Sequence, residues 1–116
     1  MFAFHEVNGK TVAELSNNDL IINEVQDAID LLGELGSQGC SRMIIYEKNL
    51  CKDFFDLKTR LAGDILQKFS NYHFRLVIIG DFSKYTSRSL RDFMRESNRG
   101  NLIFFAEDLQ SALKCF

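Results

Sequence analysis

The sequence predicts one α/β domain, spanning residues 1–116, in which helices pack on a mostly parallel sheet. Apolar runs at residues 43–46, 75–79 and 102–105 are typical of strands that are covered on both faces. Amphipathic segments, with apolar residues three and four positions apart, lie between these runs. Because strands and helices alternate, we expect right-handed crossovers and largely parallel strands.

The composition argues against several classes of function. The formal net charge of −2 disfavours general nucleic-acid binding, which needs a basic field to neutralise phosphates. Cys40, Cys51 and Cys115 are widely spaced, and His5 and His73 lie far apart. This pattern predicts neither a zinc site nor a disulfide framework. We therefore expect no cofactor and no metal.

The first residues predict neither export nor membrane insertion. They lack a basic segment followed by a long apolar run, so no signal peptide is expected. No run approaches the roughly 18 apolar residues of a membrane span. A reduced, cytoplasmic location without a membrane partner is the resulting expectation.

The N-terminal part is predicted to contain a hairpin and a helix. Asn8-Gly9, between two β-prone runs, is the strongest short-range hairpin signal in the chain. Residues 20–22 fit either a strand fragment or the approach to a helix. Asn23 and Gln26 resemble a capping box, which predicts that the first helix begins there.

The middle of the chain is predicted to be its functional centre. A buried strand is followed by a polar loop, residues 47–53, and by an amphipathic helix, residues 55–69. Asp53 or Asp56 is expected to cap this helix. Gly63 lies in mid-helix, where glycine costs roughly 0.5–1 kcal/mol relative to alanine. The sequence therefore predicts that another group approaches the backbone of Gly63 closely.

The C-terminal part adds two strands and two helices. Gly80 breaks the strand at residues 75–79, and Thr86 or Ser87 is expected to cap a third helix. A last strand and a last amphipathic helix follow. The predicted order of elements is therefore β-β-α-β-α-β-α-β-α.

The loops that follow the strands are the predicted working surface, because ligands of open parallel sheets meet the C-terminal ends of the strands. The strands ending at Tyr46 and Ile79 are expected to lie side by side and to run the same way. Their following loops would then meet. The candidate ligand- or partner-binding residues there are Glu47, Asp53, Asp56, Lys58, Thr59, Arg60, Asp81 and Ser83.

The acidic residues of this set allow two interpretations. Crowded carboxylates can raise one another's pKa for acid–base chemistry, or they can bind a hard cation. Alternatively, Asp53 and Asp56 are helix caps, Asp81 organises a turn, and Glu47 pairs with Lys48 or Lys58. Helix-cap preference alone explains two of the four, which favours the second interpretation.

Thr59 and a basic stripe also allow two interpretations each. Thr59, flanked by Lys58 and Arg60, could carry a phosphate near a helix N-terminus, although an ordinary first-turn threonine is the simpler interpretation. The basic stripe fits phosphate, an acidic partner or RNA, or else a solvated face paired with Asp92 and Glu96. It consists of Arg88, Arg91, Arg95 and Arg99.

Two stretches, residues 53–69 and 77–90, carry a family resemblance. They read Asp-Phe-Phe-Asp-Leu-Lys-Thr-Arg-Leu-Ala-Gly-Asp-Ile-Leu-Gln-Lys-Phe and Val-Ile-Ile-Gly-Asp-Phe-Ser-Lys-Tyr-Thr-Ser-Arg-Ser-Leu. Together with Asp27-Ala-Ile-Asp-Leu31, they resemble the bacterial family known as domain of unknown function 4180, over nearly the whole chain. The family name implies no activity.

The order of elements also resembles the domains shared by sulfate transporters and anti-sigma-factor antagonists, the STAS domains. This resemblance implies a small cytoplasmic switch that binds protein partners, with a phosphorylated Ser or Thr at the start of the second helix. Thr59 has that position, in Asp56-Leu-Lys-Thr-Arg-Leu61. The usual Asp-Ser-Ser-Gly-Leu run is absent, so the resemblance lies in architecture and position.

Two hypotheses about function follow. The leading one is a non-enzymatic regulatory domain that binds a protein partner and is tuned by phosphorylation near Thr59. The alternative is a small ligand-binding protein or enzyme that uses Glu47, Asp53 and Asp81. A nucleic-acid partner is disfavoured, and the sequence leaves a homodimer open.

Overall fold

The computed structural model describes residues 2–116, which form a five-stranded sheet and four α-helices. The order β-β-α-β-α-β-α-β-α is the predicted one. The elements are β1 (Phe2–Val7), β2 (Lys10–Leu15), α1 (Val25–Gly36), β3 (Arg42–Tyr46), α2 (Leu61–Asn71), β4 (Arg75–Ile79), α3 (Arg88–Arg99), β5 (Ile103–Ala106) and α4 (Leu109–Leu113).

The strands lie in the sheet in their chain order, β1-β2-β3-β4-β5. β1 and β2 pair antiparallel, and the pairings from β2 through β5 are parallel. Asn8 and Gly9 form the predicted hairpin turn, with φ of 52° and 77°. Both values are positive, as a type I′ turn requires. The predicted, mostly parallel sheet is therefore confirmed.

The helices cover the two faces of the sheet unequally. α1, α2 and α3 contribute Leu35, Ile65 and Leu90 to the larger core cluster. α4 contributes Ala112 to a smaller cluster that includes Ile44. Because successive strand residues point to opposite faces, β3 needs apolar side chains for both layers, which explains its continuous apolar run.

The two edges of the sheet differ. At the β5 edge, the Asn98 side chain accepts a hydrogen bond from the Phe105 N–H at 2.7 Å and donates one to the Phe105 carbonyl at 3.3 Å. At the β1 edge, no hydrogen bond joins the strand backbone to a described residue outside β2. The Phe4 side chain there is 52% exposed. One edge is thus capped by a side chain, and the other is open.

The predicted capping box at Asn23 and Gln26 is wrong, because α1 begins one residue later than that box requires. Glu24 is the residue before the helix. The Asp27 carboxylate accepts from the Asn23 and Glu24 N–H groups, at 2.9 and 3.1 Å. The Gln26 amide is instead bound to Asp30, one turn further on. Asp27, in the first turn, therefore accepts the hydrogen bonds that the sequence pattern assigned to Gln26.

Residues 20–22, which the sequence left undecided, lie against the loop that follows β3. Ile22 makes an isolated parallel bridge with Leu50. The N–H groups of Ile21 and Ile22 both donate to the Asn49 carbonyl, at 3.0 and 2.9 Å. The segment is therefore a short strand-like contact outside the main sheet.

The helix predicted at residues 55–69 is wrong at its start, since α2 begins only at Leu61. Arg60 has a φ of 65°, a left-handed conformation that a continuous helix cannot contain. Phe54 is almost fully buried beneath the loop, and compact turns replace the helix that periodicity favours. These are three 3-10 turns, at Glu47–Asn49, Lys52–Phe55 and Leu57–Thr59.

Two further predictions about this helix are also wrong. Neither Asp53 nor Asp56 caps α2: the Asp56 carboxylate accepts from the Lys58 N–H at 3.2 Å within the third turn, and Asp53 offers its backbone carbonyl to Thr59. Gly63 is exposed, and nothing lies within 4 Å of the position that its Cβ would have. The predicted close approach at Gly63 therefore does not occur.

Of the two residues predicted to cap the third helix, Thr86 and Ser87, the structure shows Ser87. The Ser87 hydroxyl, rather than that of Thr86, caps α3 by accepting from the Leu90 N–H at 3.3 Å. None of the helices described within residues 2–116 has the length and apolarity needed to cross a membrane.

Candidate functional site

The loops after β3 and β4 meet, as the sequence predicts. Tyr46 and Ile79 are paired residues at the ends of two neighbouring parallel strands. Just beyond them, the Tyr85 hydroxyl donates a hydrogen bond to the Glu47 carboxylate. The Lys84 ammonium lies 2.7 Å from the same carboxylate oxygen, so the predicted pairing of Glu47 with Lys48 or Lys58 is wrong. Glu47 therefore ties the first loop to the second.

Gly80 permits this contact. A Cβ at Gly80 would lie 2.7 Å from the Cβ of Glu47 and 2.8 Å from its Oε1, which is closer than such atoms can approach. The first of these atoms is fixed to the backbone and cannot simply swing away. The close approach that the sequence assigned to Gly63 is thus found at Gly80, directly after β4.

An open cleft of about 490 Å³ lies between the two loops. Three ammonium groups border it, against the single carboxylate of Glu47. Phe55 stacks on Tyr85 with ring centroids 5.0 Å apart, so one wall is aromatic. The lining residues are Glu47, Lys48, Leu50, Lys52, Phe55, Lys84 and Tyr85.

The surroundings of the cleft stabilise the protonated form of Tyr85. Burial and the adjacent Glu47 carboxylate raise the pKa of Tyr85 well above its ordinary value. The phenol therefore remains a proton donor at neutral pH and is unsuited to act as a base. The Tyr85 hydroxyl and the Lys84 ammonium both contact the Glu47 carboxylate, so this carboxylate already has two partners.

The predicted site residues lie on the two loops that meet and on the turns that precede α2. Of the eight, Glu47 lines the cleft. Four others lie within the second and third 3-10 turns or between them, and one lies at the break before α2: Asp53, Asp56, Lys58, Thr59 and Arg60. Asp81 accepts from the Ser83 N–H at 3.1 Å and from its hydroxyl at 2.6 Å, and these bonds lower the pKa of Asp81. Within residues 2–116, no group of three or more His, Cys, Asp or Glu side chains is arranged to hold a metal ion.

Sequence reasoning missed the residue that shapes the first loop. Asn49 is fully buried, and its Oδ1 accepts from the Tyr46 N–H at 2.9 Å. Its Nδ2 donates to the carbonyls of Asn17 and Asp19, at 2.8 and 2.9 Å. An asparagine in a polar loop carries no sequence signal of burial, so only the folded structure identifies it.

The cleft lysines and Tyr85 were also missed, although a signal for them existed. Lys48 and Lys52 follow one buried strand, and Lys84 and Tyr85 follow its parallel neighbour. Phe55 and Phe82 are half-buried and pack against the larger core cluster. Their exposed parts leave an apolar surface beside the cleft.

Thr59 is exposed, but its hydroxyl is already bound. It lies 2.6 Å from the Asp53 carbonyl and 2.8 Å from the Asp56 carbonyl, and its single proton is shared between them. The same oxygen accepts from the Leu61 N–H at 3.3 Å. Thr59 therefore joins the second and third turns to the start of α2.

Removal of the Thr59 hydroxyl is expected to destabilise the protein. Thr59→Val keeps the shape and removes these bonds, so the free energy of unfolding should fall by about 1–2 kcal/mol. Thr59→Ser retains the hydroxyl and should change the free energy of unfolding by less than about 0.5 kcal/mol. Urea unfolding followed by circular dichroism measures both. Equal stabilities of the two variants would contradict the assigned role.

A second polar cluster lies on the sheet face that α4 covers. The Glu14 carboxylate is 2.8 Å from His5 Nε2 and 2.5 Å from the Tyr46 hydroxyl. Burial acts to raise the pKa of Glu14, but the hydrogen bonds from Tyr46 and His5 lower it overall. Burial and the same carboxylate raise the pKa of Tyr46 to about 12. The cluster is internally satisfied and lies outside the cleft.

Comparison with known proteins identifies a family but no activity. The model of the family described as Domain of unknown function (DUF4180) matches residues 7–115. No curated protein and no solved structure matches the chain significantly. The first family resemblance is therefore confirmed, and the STAS-like architecture stays a prediction.

Proposed function

The chain belongs to the DUF4180 family, and from that premise we propose that it is a non-catalytic binding domain whose cleft docks an acidic segment of a protein partner. The cleft is the one between the loops after β3 and β4. The observation that carries the proposal is its lining: three lysines and an aromatic wall, with the one carboxylate already engaged.

The charge of the cleft selects an anionic partner. Lys48 binds a neutral group, the Asn18 side-chain oxygen, at 2.7 Å. Lys52 has no ion pair among the residues that the structure describes. Lys84 is bound to Glu47 but is itself largely exposed. Positive charge therefore exceeds negative charge at the rim, which attracts and orients acidic side chains.

The wall of the cleft selects an apolar side chain beside those acids. Phe55 and Tyr85 stack on one another, and the largely buried Leu50 also lines the cleft. Burial of an aromatic or aliphatic residue against it supplies affinity that exposed charges alone do not. A short acidic segment with one large apolar residue fits both features.

Regulation at Thr59 would act through the stability of the loop. A phosphoryl group there would have to break the bonds to the Asp53 and Asp56 carbonyls. The turn that carries Lys52 would then loosen, and the cleft would lose part of its shape. We therefore assign Thr59 a positioning role in the proposed function.

The alternative, a ligand-binding or catalytic carboxylate cluster, is supported less well. Asp81 is bound within its own turn, and Asp53 is exposed on a different turn. Glu47 is held by Lys84 and Tyr85. The contacts of Glu47 and Asp81 therefore involve different partners, and none of them joins two of the three carboxylates.

Titration with defined peptides tests the proposal. The probe is the acetylated, amidated pentapeptide Glu-Asp-Phe-Asp-Glu, and the readout is the backbone amide chemical shifts of the protein. We expect saturable shifts centred on the two loops. The double variant Lys48→Glu/Lys52→Glu should weaken binding at least about tenfold, or about 1.4 kcal/mol, because it reverses the rim charge.

Two controls separate docking from general charge attraction. Lys10→Glu reverses a charge at the opposite end of the sheet and should change the affinity by less than about twofold. The peptide Gln-Asn-Phe-Asn-Gln keeps the ring, lacks the acids and should bind weakly. Equal weakening by Lys10→Glu, or shifts spread over the whole surface, would overturn the proposal.

A further inference from the structure

A second cleft, of about 330 Å³, lies on the far side of the loop that follows β4, at the start of α3. Its lining residues are Thr86, Arg88, Arg91, Asp92 and Arg95. We propose that this cleft binds the phosphoryl group of a small organic phosphate. The proposal is independent of peptide docking, because the two clefts share no lining residue.

Two of the three arginines are free to bind an anion. Arg95 pairs with Asp92 at 2.9 Å, but both side chains are more than half exposed, and such pairs are weak. Arg88 and Arg91 have no ion pair among residues 2–116. The cleft therefore holds an excess of positive charge on a protein whose net charge is −2.

Without a bound anion, the positive charge of Arg88 destabilises the N-terminus of α3. Arg88 is the first residue of α3, and the first turn contains no acidic residue. The N-terminus of a helix carries a partial positive charge, which a neighbouring cation opposes. An anion in the cleft would offset both the helix end and the guanidinium groups. The helix packs through Leu90 and Met94, so its folding does not require these arginines.

A phosphoryl group offers several guanidinium groups more acceptor oxygens than a single carboxylate does. Each guanidinium presents a planar set of donors that can bind two phosphoryl oxygens at once. Arg88 and Arg91 are three residues apart and thus share a helical face. The Thr86 hydroxyl, on the same rim, adds a neutral donor. A tetrahedral oxyanion offers enough acceptors for all three groups.

A depression beside the arginine cleft can accommodate the organic group of the ligand. It measures about 250 Å³ and shares Arg91 and Arg95 with the arginine cleft. Phe82 and Met94 contribute apolar surface to it. A ligand with its phosphoryl group among the arginines can therefore place a ring or alkyl group against these side chains.

The test is a titration at constant ionic strength with phenyl phosphate, following backbone amide chemical shifts. We expect saturable shifts at residues 86–95, and weaker binding of inorganic phosphate, which lacks the ring. Arg88→Gln/Arg91→Gln should weaken phenyl phosphate binding at least about tenfold. Arg99→Gln, on the same basic stripe but outside the cleft, is the matched control and should change the affinity by less than about twofold.

Four outcomes would overturn the inference. The first is identical shifts with sodium chloride at the same ionic strength, which would indicate screening only. The second is equal weakening by Arg99→Gln and the double variant. The third is inorganic phosphate binding as tightly as phenyl phosphate, which would show that the organic group of the ligand does not contribute to binding. The fourth is displacement of phenyl phosphate by a short RNA that binds more tightly and with a steep salt dependence, which would assign the stripe to nucleic acid.

Discussion

Replacement of Asn49 by leucine is expected to lower the free energy of unfolding by about 3–4 kcal/mol. The side chain is fully buried and makes three hydrogen bonds, to the N–H of Tyr46 and to the carbonyls of Asn17 and Asp19. Leucine has a similar volume but deprives three partly buried backbone groups of this partner, and a group left unsatisfied costs about 1–3 kcal/mol. Because domain stability is only about 5–15 kcal/mol, the loss should be visible as a large shift in the urea midpoint.

Asn49→Asp provides a sharper version of this test. The carboxylate keeps an acceptor for the Tyr46 N–H, but it faces two carbonyl oxygens and raises its own pKa in the folded state. The folded variant then holds a proton that the unfolded chain releases near the ordinary aspartate pKa of about 3.9. Relative to wild type, its stability should therefore be greatest below a pH of about 3.9 and decline as the pH rises through the raised pKa. A pH-independent difference from wild type between pH 4 and about pH 8 would contradict this account.

Gly80→Ala is expected to cost about 2–3 kcal/mol, which is large for the addition of one methyl group. The new Cβ would lie 2.7 Å from the Cβ of Glu47, so the two loops must separate, and overpacking of this kind costs about 1–3 kcal/mol. Separation also removes the bonds of Glu47 to Tyr85 and Lys84. Spectroscopic titration of tyrosine should show the pKa of Tyr85 falling toward its ordinary value.

Gly63→Ala is the matched control, with the opposite expected sign. Gly63 lies within α2, is exposed and has nothing within 4 Å of its Cβ position. Alanine should stabilise the protein by about 0.5–1 kcal/mol, because it lowers the entropy of the unfolded chain and favours the helix. If both variants were destabilised alike, the assignment of the close approach to Gly80 would be wrong.

The strand framework was predictable because its causes are local. Asn8-Gly9 supports positive φ at two successive positions, and the apolar runs of β3 and β4 indicate cover on both faces. Parallel pairing of Tyr46 with Ile79 then follows from the alternation of elements. These facts predicted correctly that the loops after β3 and β4 meet.

The loop between β3 and α2 was not predictable, because its conformation depends on contacts distant in sequence. Burial of Phe54 and the left-handed Arg60 replace a helix turn that local periodicity favours. Asn49 is bound to a segment about thirty residues earlier in the chain. Local patterns therefore indicated which loops meet, but not which side chains they present to one another.

The two edges of the sheet differ in whether a further strand can pair with them. Asn98 occupies the outward N–H and carbonyl of Phe105, so a further strand cannot dock on β5 without displacing it. β1 offers a ladder of backbone groups with the exposed Phe4 beside it. Strand addition, whether from a second copy, a bound peptide or an aggregating neighbour, would therefore begin beside β1, on the flank remote from the arginines of α3.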